Sequence, residues 1–282
     1  MNDNCLVCGS KMEMSRIKGL LECSSCKFVT CDINISDDEL KSIYGTDYFH
    51  GKEYGNYVLD KSVMQRNFKN RLRTLQKYIT DSKEKSLFEI GCAYGFFLEI
   101  AKKEFNKVFG IDISDEAIKY ANDIVNVDAA ADNFLNYEMT QMYDVFCMWD
   151  TIEHLRKPEL FIEKISKYTN PNGLLAITTG DIGSINARIR GIKWRQIHPP
   201  THIHYFSAQT LTKLLTDHGY EIVYTGHPGS YMSMNNITYI LFMIKKTKPK
   251  LYEFFNKTGL NKLEIYINMK DLVYIIGRKK NL

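Results

Sequence analysis

The chain has 282 residues, 44% of them hydrophobic, and a formal net charge of +4. That length suits one large α/β domain or a core with a small appendage, and the hydrophobic content is ordinary for a soluble globular chain. The charge is spread without a long block of one sign, which argues against a nucleic-acid arm, and the longest apolar run, Ile237 to Ile244, is well short of the ~20 residues that cross a bilayer.

That run ends in Lys245-Lys246, and we rank a peripheral membrane contact there below a buried helix or strand. The segment before Cys5 has neither a basic flank nor an apolar core, so no secretory signal and a cytoplasmic location are expected.

Cys5-x-x-Cys8-Gly9 and Cys23-x-x-Cys26 are two knuckles separated by 14 residues, close to the spacing of a four-thiolate zinc site. Each short turn presents two sulfurs to one ion, and Gly9 permits a left-handed backbone after the first pair. Lys11 to Glu22 should form a hairpin with Ile17, Leu20 and Leu21 on its inner face. So small a piece has too little apolar surface to fold unaided, so the metal should stabilise it. Disulfides are the alternative, but cytosolic thiols stay reduced. Four cysteines close the coordination shell, which makes the zinc structural rather than catalytic. Cys31 reads as a bystander, and Cys92 and Cys147 as small buried residues. A ribbon of this kind can also bind nucleic acid, but Lys11, Arg16, Lys18 and Lys27 are offset by Asp3, Glu13, Glu22 and Asp32. Residues 1–35 are therefore read as a zinc ribbon with a substrate-domain or docking role.

Residues 36–80 follow as a helical linker. Asp37 to Tyr44 should form a short helix that ends at Gly45-Thr46-Asp47-Tyr48-Phe49, and Tyr48, Phe49, Tyr54 and Tyr57 make the linker aromatic. Over residues 60–79, Val63, Met64, Phe68, Leu72, Leu75, Tyr78 and Ile79 keep a mostly helical rhythm.

Strands are then expected near 86–90, 108–112, 124–127, 143–148 and 173–179, with helices near 94–104, 114–122 and 158–168. This alternation implies a parallel sheet with helices on both faces. Pro171-Asn172-Gly173 reads as the turn into the fifth strand, and Ala208 to Leu215 as a helix that ends at His218-Gly219. Tyr220 to Tyr224 and Asp271 to Ile276 should be the last two strands; residues 226–268 between them exceed a hairpin loop and should hold helices of their own.

The most telling stretch is Leu87-Phe88-Glu89-Ile90-Gly91-Cys92-Ala93-Tyr94-Gly95, an apolar strand that ends in an acid and two spaced glycines. Glycine lets the backbone turn sharply and a ligand lie against it, while the next helix offers unpaired N–H groups. Asp112 ends the following strand 23 positions after Glu89, near the ~20-residue interval at which a βαβ unit brings a carboxylate to a ribose. Ala93 stands where a glycine is commonest and no third glycine follows, so the pyrophosphate fingerprint is degenerate. Glu89 repels a phosphate but draws an ammonium. An adenosine joined to an amino acid describes S-adenosylmethionine.

With these features, the chain resembles the class I S-adenosylmethionine-dependent methyltransferases, and within them a branch that carries a Trp-Asp-x-x-Glu-His-Leu segment, an N-terminal cysteine module and a later His-x-His-Tyr-Phe-Ser segment. Here these are Trp149 to Leu155, Cys5 to Cys26 and His202 to Ser207. The resemblance implies an α/β, Rossmann-like seven-stranded sheet over residues 81–282, with a final antiparallel strand, an insertion at about 226–268, the small zinc ribbon in front and a lid formed by the aromatic linker, for which packing between the ribbon and the core is the equal alternative. It implies that Glu89, Gly91, Ala93 and Gly95 wrap the methionine part of the cofactor, that Asp112 accepts both ribose hydroxyls and that Ile113 flanks the adenine. Asp132 should meet the adenine amino group, with Asp128 as a second candidate, and Trp149 is the aromatic that follows the fourth strand at the cofactor.

Methyl transfer requires in-line placement of the acceptor and, for a hydroxyl, a base. Histidine suits that role at neutral pH, and His154, His198, His202 and His204 should all reach loops at the carboxyl edge of the sheet. His202 and His204 are two apart and face opposite ways in an extended segment, so at most one points into the site. We favour His202, then His154; alternatively Glu153 and His154 form a structural pair at a helix start. A second metal on these histidines lacks a carboxylate partner fixed by sequence. We therefore read the chain as a methyltransferase acting on an oxygen of a sugar, a nucleotide-linked sugar or another small metabolite, with carbon methylation known among similar enzymes. Its rivals are an NAD-type oxidoreductase and a zinc-ribbon nucleic-acid-binding methyltransferase. The Asn-Pro-Pro-Tyr-like signature of nucleobase amine methylation is absent, since Trp149-Asp150 stands there.

Overall fold

The computed structural model describes residues 4–33, 36, 39, 58–239, 249–260 and 263–281. The expected helix at 37–44, apart from Glu39, and the aromatic linker residues Tyr48, Phe49, Tyr54 and Tyr57 lie outside the described residues.

Strands β1 (Met12–Met14), β2 (Leu20–Cys23) and β3 (Val29–Cys31) pair antiparallel in chain order. Leu20 and Leu21 do not share the inner face expected of them, because neighbouring strand residues point to opposite sides. Leu20 packs with Val29, Trp194 and Tyr205, whereas Leu21 packs on the main core.

Helix α1 (Lys61–Gln76) buries Val63, Leu72 and Leu75, the stripe that its periodicity marks, and also Arg71. The central elements are β4 (Ser86–Ile90), α2 (Leu98–Ala101), β5 (Lys107–Asp112), α3 (Asp115–Tyr120), β6 (Ala129–Ala131), β7 (Tyr143–Trp149), α4 (Pro158–Tyr168) and β8 (Thr169–Gly180). They are followed by α5 (Ile185–Arg190), β9 (His204–Tyr205), α6 (Ala208–Asp217), β10 (Tyr220–Gly226), β11 (Ser230–Ser233), α7 (Met234–Thr238), α8 (Pro249–Thr258), β12 (Glu264–Ile267) and β13 (Leu272–Lys279).

Seven strands form one Rossmann-like sheet in the order β10-β13-β8-β7-β4-β5-β6, with β13 antiparallel to both of its neighbours and the pairs from β8 to β6 parallel. Residues alternate between its faces. Phe88, Phe146, Met148, Leu175 and Ile177 meet Ile162 and Leu211 on one side, while Leu87, Val145, Cys147 and Ala176 meet Leu72, Leu75, Phe97 and Leu98 on the other. Each fully buried Val, Leu, Ile, Phe or Met among them contributes roughly 1.5–3 kcal/mol.

The third strand differs from expectation. Residues 121–125 continue the preceding helix as one wide turn that ends at Asn126 in the left-handed region (φ 58°), and the strand begins only at Ala129. The Asn122 amide pins that start, since its carbonyl accepts the Ala129 N–H and its NH2 donates to the Ala129 carbonyl. Pro171-Asn172-Gly173 also behaves differently: Tyr143 pairs with Thr169 and Val145 with Leu174, so these residues bulge out within β8 instead of preceding it. Within the insertion, α7 and α8 supply the expected helices, and β11 pairs with β12 as a separate ribbon. The Asn67 side chain on α1 bonds both the N–H and the carbonyl of Tyr231, which fastens that ribbon to the core.

The N-terminal sheet is built into the rest of the fold. β9 pairs with β3 as its fourth strand, and Cys5, Val7, Met12, Cys23 and Phe28 share one apolar cluster with Phe206 and Leu211. Among the described residues, no helix is long and apolar enough to cross a membrane.

Candidate active site and cofactor cleft

The first cleft lies where β4 and β5 end side by side. Gly91 (φ 75°), Ala93 (φ 44°) and Gly95 (φ 72°) all take positive φ, which bends the main chain back on itself. A Cβ on Gly91 would stand 2.6 Å from the Thr151 side chain, and one on Gly95 2.7 Å from Val127 Cγ2, so both glycines are required by space as well as by conformation. The tight turn also shortens the expected helix at 94–104, whose regular part is Leu98–Ala101. Asp112 closes the loop: its Oδ2 accepts the Ala93 N–H (2.9 Å) and its Oδ1 the Ser114 N–H (3.0 Å).

Glu89 lies beneath this loop, 2% exposed, and its Oε2 is buried without a hydrogen-bond partner. Burial, reinforced by the charge of Asp112, pushes its carboxyl well above the ordinary range, and Arg71 pulls the other way. Ile113 is half-buried beyond Asp112. Asp132 is exposed at the end of β6, and its N–H donates to the Asp112 carbonyl (2.9 Å), which places it on the same sheet edge. Asp128 precedes β6 and so belongs to the opposite edge.

Next to the loop, the chain leaves β7 through Asp150 (φ 53°) and Thr151 into a short turn, Ile152–His154. Glu153 is 4% exposed with a buried, unpartnered Oε2, and burial together with the charge of Asp150 pushes it up to about 8. The Nδ1 atoms of His154 and His202 lie 2.8 Å from the Thr201 carbonyl and 2.9 Å from the Gln196 carbonyl, and the two rings meet edge to face with centroids 4.6 Å apart. Burial, then the neighbouring His154 and His198, hold His202 down to about 2, which keeps it neutral. One ligand atom from each of Glu153, His154 and His202 lies within 4.8 Å of the others.

His204 does not join them. It faces the N-terminal ribbon, as the alternation of an extended segment requires, and bonds Thr30 Oγ1 (2.9 Å) between the rings of Phe28 and Phe206.

In the ribbon the sulfurs of Cys5, Cys8, Cys23 and Cys26 converge, with Cys5 3.6 Å from Cys26 and Cys8 3.4 Å from Cys23. These separations far exceed a disulfide bond of ~2.05 Å and approach the edge of roughly 3.8 Å that a tetrahedron with ~2.3 Å zinc–sulfur bonds demands. The Val7 N–H donates to the Cys5 sulfur and the Cys26 N–H to the Cys23 sulfur, bonds that favour thiolates. Cys31 stands apart, next to the Tyr205 hydroxyl.

Comparison with known proteins decides the family, since a profile described as a methyltransferase domain matches residues 59–225. The chain belongs to that family. Residues 59–225 thus form a class I S-adenosylmethionine-dependent methyltransferase domain, which sets the NAD-type oxidoreductase aside. Among curated proteins, this methyltransferase is similar to the mitochondrial ubiquinone biosynthesis O-methyltransferase of Dictyostelium discoideum, at 29% identity over 33% of this chain and 35% of that one. The ubiquinone biosynthesis O-methyltransferase of Nitrosomonas europaea is 26% identical over 39% and 49% of the two chains. The methyltransferase thus spans about a third to a half of the length of these relatives. Among solved structures, the N-methyltransferase NodS from Bradyrhizobium japonicum WM9, in complex with S-adenosyl-L-homocysteine, shares the fold with a TM-score of 0.53 and 15% identity over 83% of this chain and 96% of that one. An S-adenosylmethionine-dependent methyltransferase from Mesorhizobium loti does so with 0.51 and 12% over 73% and 96%.

One residue of the methyltransferase cleft was not singled out from the sequence. Arg71 on α1 is buried and pairs with Asp150 Oδ2 at 2.8 Å, with its guanidinium 5.6 Å from the ring centre of Trp149. Trp149 is itself packed between Phe97 and Tyr274, with its indole N–H buried and unpartnered. The available signal was a charged residue three positions after Phe68 and four before Leu75, on the apolar stripe of the helix.

Proposed function

We propose that this methyltransferase acts on an oxygen of a small metabolite, such as a sugar or a nucleotide-linked sugar, in a cytoplasmic setting. The observation that carries this reading is the unpaired, buried oxygen of Glu89 under a loop of positive-φ residues, with the Glu153–His154–His202 group reached through Thr151 on its far side. The two curated relatives, both O-methyltransferases by name, support transfer to oxygen.

The residues suit the cofactor. An orphaned carboxylate oxygen lacks a cationic partner such as the ammonium of an amino acid, and the positive-φ turn at Gly91, Ala93 and Gly95 bends the main chain above it. When bound, S-adenosylmethionine supplies an electrophilic methyl group on a positive sulfur. Glu89 draws the ammonium, while Gly91, Ala93 and Gly95 let the main chain approach the methionine part. Asp112 uses one lone pair of each oxygen on a backbone amide, and its remaining lone pairs accept the ribose hydroxyls. Ile113 flanks the adenine, Asp132 accepts its amino group, and Trp149 backs the cleft. Glu153, His154 and His202 face the acceptor hydroxyl and orient it, while His204 holds β9 against the ribbon.

Cys5, Cys8, Cys23 and Cys26 hold a structural zinc in residues 1–35, residues 36–80 link this ribbon to the rest with α1 packed on the core rather than as a lid, and residues 81–282 with the insertion at about 226–268 form the catalytic domain. Calorimetry tests the cofactor assignment. The wild type binds S-adenosylmethionine, and Asp112→Ala weakens binding roughly 10- to 100-fold, as the loss of charge-assisted hydrogen bonds of ~1.5–3 kcal/mol predicts. An unchanged dissociation constant, or NAD binding in its place, overturns it.

A further inference from the structure

We propose that His227, held in place by Asp181, is the base that takes the proton of the acceptor hydroxyl. The catalytic role rests on the O-methyltransfer reading above; the geometry of the pair does not.

The topology brings the two residues together. β8 and β10 both run antiparallel to β13, so Asp181 just after β8 and His227 just after β10 emerge at one edge of the sheet, where Asp271 leads into β13. β7 is parallel to β8, so this is also the edge at which the chain turns towards Glu153. Gln196 connects the pair to His202: a Cβ on Gly180 would stand 3.0 Å from Gln196 Cγ, and the Gln196 carbonyl faces His202 Nδ1.

Asp181 is 4% exposed and fixed on three sides. Its N–H donates to the Asp271 carbonyl (2.8 Å), its Oδ1 accepts the Gly183 N–H (2.8 Å), and its Oδ2 lies 3.0 Å from His227 Nε2. Asp271 is buried in turn, and its Oδ2 accepts the Trp194 indole N–H (2.9 Å) and the Asn186 amide (2.6 Å). The main chain of His227 is held as well. The Asn268 amide donates to its carbonyl (3.2 Å), Gly226 before it pairs with Tyr274, and Pro228 after it has a fixed φ.

An ionised carboxylate only accepts, so the hydrogen of this bond sits on Nε2 and Nδ1 keeps its lone pair. Nδ1 bonds no described residue, and the ring is open to solvent while the Asp181 carboxylate behind it is buried. A buried acid that fixes the tautomer and orientation of an accessible imidazole is the arrangement by which a histidine serves as base, and the acid balances the imidazolium that forms. His202 is less suited to that task, because burial holds it down to about 2 and it keeps no proton near neutral pH. In the transfer, the hydroxyl proton passes to His227 Nδ1, the oxygen lone pair forms the new O–C bond, and the electron pair of the broken C–S bond remains on sulfur. The proton then leaves His227 for water. No oxidation or reduction is involved.

The test begins without an acceptor. In the full-length protein carrying isotope-labelled histidine, long-range proton–nitrogen correlation should find the His227 hydrogen on Nε2, with the signal assigned by its loss in His227→Gln. Hydrogen on Nδ1 overturns the proposal. Turnover follows, with methyl-labelled S-adenosylmethionine and a monosaccharide, a nucleoside diphosphate sugar and a catechol as probe hydroxyls. His227→Ala should lower kcat about 100-fold or more with S-adenosylmethionine binding unchanged, and added imidazole should restore part of the rate. Asp181→Asn keeps the shape but can donate to Nε2, so it should move the hydrogen to Nδ1 and lower kcat at least about tenfold. Full turnover in folded His227→Ala, or in Asp181→Asn with its tautomer reversed, overturns the base. A wild type that methylates none of the probes sinks oxygen transfer to these classes, and the tautomer alone then decides the pair. Failure of the wild type to bind S-adenosylmethionine with the Nε2 hydrogen in place sinks the cofactor assignment and leaves the pair standing.

Discussion

Two clusters of Cys, His and Glu side chains lie at opposite extremes of sequence locality. Cys5, Cys8, Cys23 and Cys26 come from one hairpin, and their sulfurs converge because two short turns face each other across β1 and β2. Glu153 and His154 come from the turn after β7, while His202 arrives from a loop 48 positions later, carried there by the pairing of β9 with β3. The first cluster needs only local turns. The second exists only when the ribbon, the sheet and the loop before β9 are assembled, so the integrity of the ribbon reaches the site through β9. The contrast shows why an N-terminal ribbon with a closed ligand set can matter to chemistry in which it takes no direct part.

The harshest way to break this comparison is Cys23→Ser. Loss of one of the four sulfurs should release the zinc proposed there and loosen the ribbon, with a fall in stability on the order of 3–5 kcal/mol and in melting temperature of about 10 °C. Elemental analysis and a melting curve check it, and retained stoichiometric zinc would show that the sulfurs converge for some other reason. Because β9 borders the loop that carries His202, the same variant should also lose turnover beyond what partial unfolding removes.

A subtler probe is Arg71→Ala, which acts on the assembled site alone. It removes a buried cation that pairs with Asp150 and offsets the charge near Glu89 and Glu153. Asp150 is partly exposed, so solvent softens the loss, and we expect a cost of about 1–3 kcal/mol in urea denaturation. Zinc content should remain unchanged. A variant as stable as the wild type would mean that α1 does not brace the cleft.

The smallest expected effect is one of pH. Burial raises the Glu89 carboxyl above its unfolded value, so the folded chain holds more protons than the unfolded one; this contribution to stability is complete below the ordinary carboxylate range and is lost as pH rises through the folded value. A cationic ligand favours the ionised form, so its binding should release up to one proton and tighten as pH increases. Calorimetry in two buffers of different ionisation enthalpy measures this directly, and proton uptake on binding would contradict the role given to Glu89.

Much of the fold was legible because its signals are periodic or positional. The stripe of α1, the apolar run before Glu89 and the acid at Asp112 each report a local backbone state, and the sheet carries them as expected. The third strand was misplaced because Val125 and Val127 look like strand residues, whereas Asn122 and Asn126 set the register through a side-chain amide and a left-handed turn. The site was legible in part. Glu153 and His202 could be named as separate candidates, but whether they meet was beyond reach.

The order of residues alone determined which chemistry was available: four thiols in two knuckles, an acid-led glycine loop, a second acid one βαβ unit later and a set of histidines on later loops. These are properties of neighbours along the chain, governed by turn geometry and side-chain type. Only the tertiary structure decided that His202 turns towards His154 while His204 turns towards Phe28, and that Arg71 stands over Trp149. Those outcomes depend on strand pairing and packing between distant segments, which no local pattern encodes.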